Sequence, residues 1–329
     1  MRRREFTTLL GGALSALSFD VRAQERIRRI GVLMGYGEDD AEGQSSVAAF
    51  VQGLRELGWV IGRNVLIDYR WSAGDVGHMN MFADELVTTR PDVILAHTTP
   101  VTGALHKATG TLPIVFAAAS DPVGDGFIAS LSRPSGNITG FVNIEGSMGG
   151  KWMEILKEID PRVKRVAFMF NPDTAPAGGK YFAASFDAAT KSLGVEQITA
   201  AVRSDGDIES VLETLGREPG GGLVATADGF NTVHRKTIIA ASARSGIPTT
   251  YHLARSAREG GLVSYGADVA DIFRRCSSYV DRILRGARPS DLPAQVPTKF
   301  EFVINLKTAK SLSLIVPPTL LARADEVIE

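Results

Sequence analysis

Arg29-Ile30-Gly31-Val32-Leu33-Met34 opens a unit that the chain writes twice. An apolar run of this length, rich in branched residues and followed by helical periodicity, reads as a buried parallel strand. Val47 to Leu57 carries Phe50, Leu54 and Leu57 on one face and reads as the covering helix, with Gly58 as its stop. The second copy starts at Arg165-Val166-Ala167-Phe168-Met169-Phe170 and runs through a helix to Leu193-Gly194. Arg29 to Gly58 and Arg165 to Gly194 both span 29 positions. Gly110-Thr111-Leu112-Pro113 and Ser245-Gly246-Ile247-Pro248 each end a helix at Gly and start a strand at Pro.

Further strands are expected over 64–71, 93–96, 114–118 and 138–142 in the first half, and over 249–252, 261–266 and 300–304 in the second. Helices are expected over 79–89 and 271–284. Strands alternating with helices define an α/β fold with parallel sheets covered by helices. The expectation is therefore two doubly wound parallel-sheet lobes joined by a multi-strand hinge. Lobe 1 is expected to take 24–143 plus about 265–305, and lobe 2 to take 144–264 plus about 306–329. No low-complexity linker separates the halves, so the crossings should be short and hinge-like.

Upstream, Arg2-Arg3-Arg4-Glu5-Phe6 precedes an apolar stretch from Thr7 to Leu17 and a small-residue end at Val21-Arg22-Ala23. This order is that of a cleaved export signal, and the Arg pair before Phe6 is of the twin-arginine type, which carries folded proteins. Residues 1–23 are thus expected to be removed and the mature chain to work in the periplasm. A run of about 11 apolar residues falls short of the roughly 20 that span a bilayer, so no membrane insertion is expected. Removal takes four basic and two acidic residues from totals of 36 and 37, leaving 32 against 35. That near-neutral balance points away from nucleic acid. Cys276 is the only cysteine, so no internal disulfide can form.

In open α/β sheets, ligands collect beyond the carboxyl ends of strands, where helix N-termini aim free N–H groups. His97-Thr98-Thr99-Pro100 sits at such an end, with Thr99 as the expected N-cap and Pro100 at N1. Backbone donors and two hydroxyls would suit a carboxylate there. Ser120-Asp121-Pro122 repeats the arrangement with an acidic cap. The second half delivers Asn171 and the stretch Asp228-Gly229-Phe230-Asn231. Asp228 could receive an ammonium group and Phe230 could offer a ring face. Tyr36 and Tyr265 are further wall candidates. All of these also read as ordinary caps, core rings or surface tyrosines. Asp268 is expected to cap the helix that follows it.

Enzyme patterns fail. Gly35-Tyr36-Gly37 lacks the third glycine of a dinucleotide loop, since position 40 is Asp. No phosphate loop or nucleophile elbow occurs, and the five histidines have no metal-ligand spacing. No cofactor or metal is expected.

Arg3-Arg4-Glu5-Phe6, Asp121-Pro122-Val123, the stretch from Arg133 to Gly140, Ser264-Tyr265-Gly266 and the stretch from Pro297 to Ala309 carry a resemblance over nearly the whole chain. It resembles the substrate-binding proteins of ABC transporters with the type I periplasmic-binding fold, in the branch that takes up tryptophan or tyrosine. The resemblance implies a ligand between the lobes, with its carboxylate on the Thr-Pro helix start at Thr98 and Thr99 and its amino group on Asp228. It also implies a transient ABC permease partner, a monomer, and hinge closure in place of chemistry. A ligand sensor feeding a receptor or kinase, or an enzyme with Asp121 or Asp228 as base, are the alternatives. Ser313 departs from the family pattern, standing where a helix-ending Gly is usual.

Overall fold

The computed structural model describes residues 26–329, so the export signal expected at residues 1–23 lies outside the described residues. The first repeat gives β1 (Arg28–Met34), α1 (Ala41–Glu56), β2 (Val65–Trp71), α2 (Val76–Thr88), β3 (Val93–His97), α3 (Thr99–Ala108), β4 (Ile114–Ala119) and β5 (Ile138–Val142). These strands form one parallel sheet in the order β2-β1-β3-β4-β5. Every residue of β3, β4 and β5 is buried, because helices cover both faces. Phe50 and Leu54 of α1 seal one face, and Leu86 and Leu105 of α2 and α3 seal the other.

The second repeat supplies α4 (Met148–Ile159), β6 (Arg165–Phe170), α5 (Ala183–Ser192), β7 (Glu196–Ala201), α6 (Asp205–Gly216), β8 (Gly221–Ala225), α7 (Gly229–Val233), α8 (Arg235–Ser245), β9 (Thr249–Tyr251), α9 (Ala254–Arg258) and β10 (Val263–Ala267). Its strand order, β7-β6-β8-β9-β10, reproduces the first sheet strand for strand. The two matched glycine stops both adopt positive φ, +90° at Gly58 and +62° at Gly194. A side chain there would be strained, so the repeat spacing has a backbone cause.

The chain then leaves the second sheet as α10 (Val269–Leu284), capped by Asp268, whose side chain accepts from Asp271 N. α10 lays Phe273, Cys276, Val280 and Leu284 against the core that holds Phe50, Leu54 and Phe141. At about 1.5–3 kcal/mol per fully buried large apolar side chain, this helix is a main part of the first lobe's stability. Leu292 joins the same core, and Gln295 bridges to Phe141 and accepts from Val142 N at 2.8 Å.

The return strand, β11 (Phe300–Asn305), differs from expectation. It pairs antiparallel with β10 in the second sheet, and β12 (Glu326–Ile328) adds beside it after α11 (Leu306–Ser311) and α12 (Pro318–Leu321). Of the stretch 265–305 assigned to the first lobe, only the central part, from α10 through the Pro-rich connector, packs there. Phe302 and Ile304 instead meet Ile155, Ile159 and Val263. Apolar alternation marks a strand but carries no information about which of two sheets it joins. Ser313 does hold the positive φ, +54°, that a helix-ending glycine would take.

Candidate functional site

The carboxyl ends of β3, β4 and β5 face those of β6, β8 and β9 across a cleft. At its floor is a cavity of about 40 Å3, walled on the first side by Tyr36, His97, Thr98, Thr99, Ser120 and Asn143. Thr174, Asp228, Gly229, Thr232 and His252 wall it on the second.

The first wall is strained and polar. Thr98 has φ +81°, uncommon for any residue with a Cβ and a true outlier for a β-branched one. It occupies the cap position of α3, one residue earlier than expected, and makes no side-chain cap bond. Its Oγ1 is buried with no hydrogen-bond partner among the described residues. Thr99 is the first helical residue, and its Oγ1 accepts from Ser120 N at 3.0 Å, which leaves the hydroxyl proton available to donate. The carbonyl of Thr98 accepts from Thr102 Oγ1 at 2.7 Å. Beside these residues the His97 ring lies between Tyr36 and Phe273 in tilted contacts, with centroids 4.7 and 5.3 Å away. Its Nδ1 accepts from Gly35 N at 3.3 Å, which assigns the proton to Nε2. Burial pushes the His97 pKa down to about 3, so the ring is neutral.

The second wall is saturated internally. Asp228 caps α7, and its carboxylate accepts from Asn171 N at 2.6 Å, Phe230 N at 2.9 Å and the Thr174 hydroxyl. Burial raises its pKa to about 6 while those donors hold it down in part. Thr232 Oγ1 donates to the Asp228 carbonyl at 2.8 Å, so at 3.1 Å it accepts from His252 Nε2. Burial lowers the His252 pKa to about 4.

Of the ten wall residues expected, the structure brings Tyr36, Thr98, Thr99, Ser120 and Asp228 to the cavity and leaves five elsewhere. Asp121 caps a turn, accepting from Gly124 N at 2.9 Å. Asn171 spends its side-chain oxygen on Asp173 N at 2.8 Å. Phe230 is a core ring stacked on His234 at 4.0 Å, and Asn231 donates to Met169 O at 3.0 Å. In both, the helix geometry that lets Asp228 cap also turns the next two side chains inward. Tyr265 lies in β10 against Phe300 and lines a separate groove with Ser147 and Lys151. Asn143, Thr174, Thr232 and His252 were not expected. The first three are polar residues at strand ends or in a short helix, with no local pattern to single them out.

An ion cluster joins the lobes beside the cavity. Arg235 of α8, buried, donates from Nη2 to Asp40 Oδ2 at 2.8 Å, from Nε to Glu259 at 2.9 Å and from Nη1 to Thr232 O at 3.0 Å. Asp40 also caps α1 through Glu42 N at 2.9 Å. Among the described residues there is no His, Cys, Asp and Glu cluster suited to a metal, and no helix is long and apolar enough to cross a membrane.

Two α/β sheets that share one five-strand order and face each other across a polar cleft define a two-lobed ligand-binding protein. Sequence comparison makes the class specific: residues 38–328 match the family described as ABC transporter substrate binding protein, and the chain belongs to it. This is a family of binding proteins and not of enzymes. The chain is 24% identical over 268 residues, 80% of its length and 75% of the other's, to a tyrosine-binding protein of Clostridioides difficile (strain R20291). Its fold is similar to that of an ABC domain in complex with L-Trp from Streptococcus pneumonia, with TM-score 0.83, 26% identity, and 92% and 99% of the two chains covered. A conserved domain protein from Vibrio cholerae gives TM-score 0.82 at 26% identity over 92% and 100%.

Proposed function

We propose that the protein captures an amino acid outside the cytoplasm, closes its lobes over it and presents the closed form to an ABC permease for import. The observation that carries the ligand class is the start of α3. There the unpaired Thr98 hydroxyl, the free proton of Thr99 and the helix N-terminus converge on one cavity, a seat for a carboxylate. The relatives described as binding tyrosine or tryptophan support an amino-acid head group. Closure follows from contacts to both walls that exist only when the cleft is shut, so ligand binding shifts the open and closed populations. Export by a twin-arginine signal at residues 1–23 and a monomeric state belong to the same reading.

The experiment is titration calorimetry with L-tyrosine and L-tryptophan on the parent and on Thr98→Val plus Thr99→Val. The double variant is expected to lose at least tenfold in affinity, about 1.4 kcal/mol. Affinity within tenfold of the parent's would remove the carboxylate seat.

A further inference from the structure

We propose that the ligand's side chain lies in an outer chamber of the cleft, beyond the head-group cavity, where Phe127 and Asp125 select an apolar or aromatic body that ends in a hydrogen-bond donor. This deepens the amino-acid reading and rests on it. The floor cavity of about 40 Å3 has room for about three water-sized positions, at roughly 10–15 Å3 each. That volume suits a carboxylate with an amino group and leaves little room for a ring. Thr99, Pro100 and Thr174 line this cavity and also a second, more open one of about 340 Å3. A ligand seated head-first on α3 therefore continues through the gap those three residues frame.

The outer chamber has the chemistry of a side-chain site. Met79, Phe127 and Pro172 give it apolar walls, and Phe127 is held at its edge by His106, 5.7 Å away. Small residues on α3 keep the approach open: a Cβ added at Gly103 would sit 3.5 Å from the Phe127 ring. Three charged residues line the chamber. Lys107 is exposed, and Asp173 is paired with Arg203 at 3.1 Å. Asp125 differs: its Oδ2 is buried and has no hydrogen-bond partner among the described residues. The Ala177 N–H faces this carboxylate from the second lobe, so Asp125 stands where the lobes meet. The Ala177 N–H acts on the Asp125 carboxylate without making a hydrogen bond of normal geometry to Oδ2, and a ligand group that supplies one is favoured over an analogue that lacks it.

L-Tyrosine and L-phenylalanine differ by one O–H donor and serve as the probes, measured by titration calorimetry on the parent chain, Asp125→Ala, Asp125→Asn and Phe127→Ala, each with a melt to confirm folding. The parent is expected to bind tyrosine at least tenfold more tightly than phenylalanine. Asp125→Ala should bring that ratio to within about threefold by weakening tyrosine alone, and Asp125→Asn, which keeps an acceptor, should narrow it less. Phe127→Ala should weaken both ligands about tenfold. A ratio that survives Asp125→Ala, or affinities untouched by Phe127→Ala, would overturn the proposal. Thr98→Val plus Thr99→Val should weaken both ligands equally. A parent that binds neither probe overturns the proposal, and binding of alanine or serine in that case leaves the amino-acid reading standing.

Discussion

The two walls of the cleft are topological copies with opposite polar economies. On the first wall, Thr98 Oγ1 and Asn143 Oδ1 are buried without partners. On the second, Asp228 satisfies three donors of its own lobe, and Thr232 joins the Asp228 carbonyl to His252. Groups already paired give little to a guest, while unpaired ones gain from any partner. On the proposed reading, the first lobe holds the ligand and the second is the surface that closes on it.

The sharpest way to break this contrast is Asp228→Ala. It strands two backbone N–H groups and a hydroxyl, and should cost about 3–5 kcal/mol of ligand-free stability in a urea melt. Thr98→Val is the counterpart. It should reduce affinity about tenfold, or 1.4 kcal/mol, and leave stability within about 0.5 kcal/mol, because no intramolecular bond is lost. If the two variants exchanged these effects, the assignment of roles would be reversed.

The buried titrating groups sharpen the contrast through pH. The Asp228 pKa is raised to about 6, so its contribution to stability is full below the unfolded value near 4 and is lost as pH rises through about 6. His97 and His252 are lowered to about 3 and about 4. Their contributions are full above about 6.5 and are lost as pH falls towards those values. Near pH 5 the unfolded chain holds both imidazole protons and the native chain only that of Asp228. From these three groups stability therefore rises with pH by about 1.4 kcal/mol per unit, one net proton. Asp228→Asn should double that difference, and His252→Gln should flatten it, as read from melting temperatures between pH 4.5 and 5.5.

The smallest effect is expected at the ion cluster between the walls. Asp40→Asn keeps an oxygen to cap α1 and removes the charge facing Arg235, which stays paired with Glu259. Affinity should fall about threefold, roughly 0.7 kcal/mol, with a weaker dependence on salt and a scattering profile shifted towards the open form. Unchanged affinity and salt dependence would mean the cluster only decorates the closed form.

The fold was legible because its signal is periodic. Apolar runs recur at the spacing set by Gly58 and Gly194, and positive φ at both explains why glycine is favoured there. The membership of Phe300–Asn305 was not legible, since apolar alternation does not say which sheet a strand joins and both sheets could accept it. Half of the expected wall followed from the rule about strand ends, which Tyr36, Thr98, Thr99, Ser120 and Asp228 obey. Phe230 and Asn231 failed because they lie in a short helix whose cap turns them inward. Asn143 and His252 escaped because a lone polar residue after a strand looks the same whether or not another lobe stands opposite.

The excursion of α10 into the first lobe sets the order in which the molecule can be completed. Phe50, Leu54 and Phe141 emerge early in synthesis, yet the helix that covers them is made only after most of the second sheet. A nascent chain cut off before α10 would expose a bare apolar face, and neither half can be produced alone as one continuous fragment. Heating should therefore show one transition for both lobes.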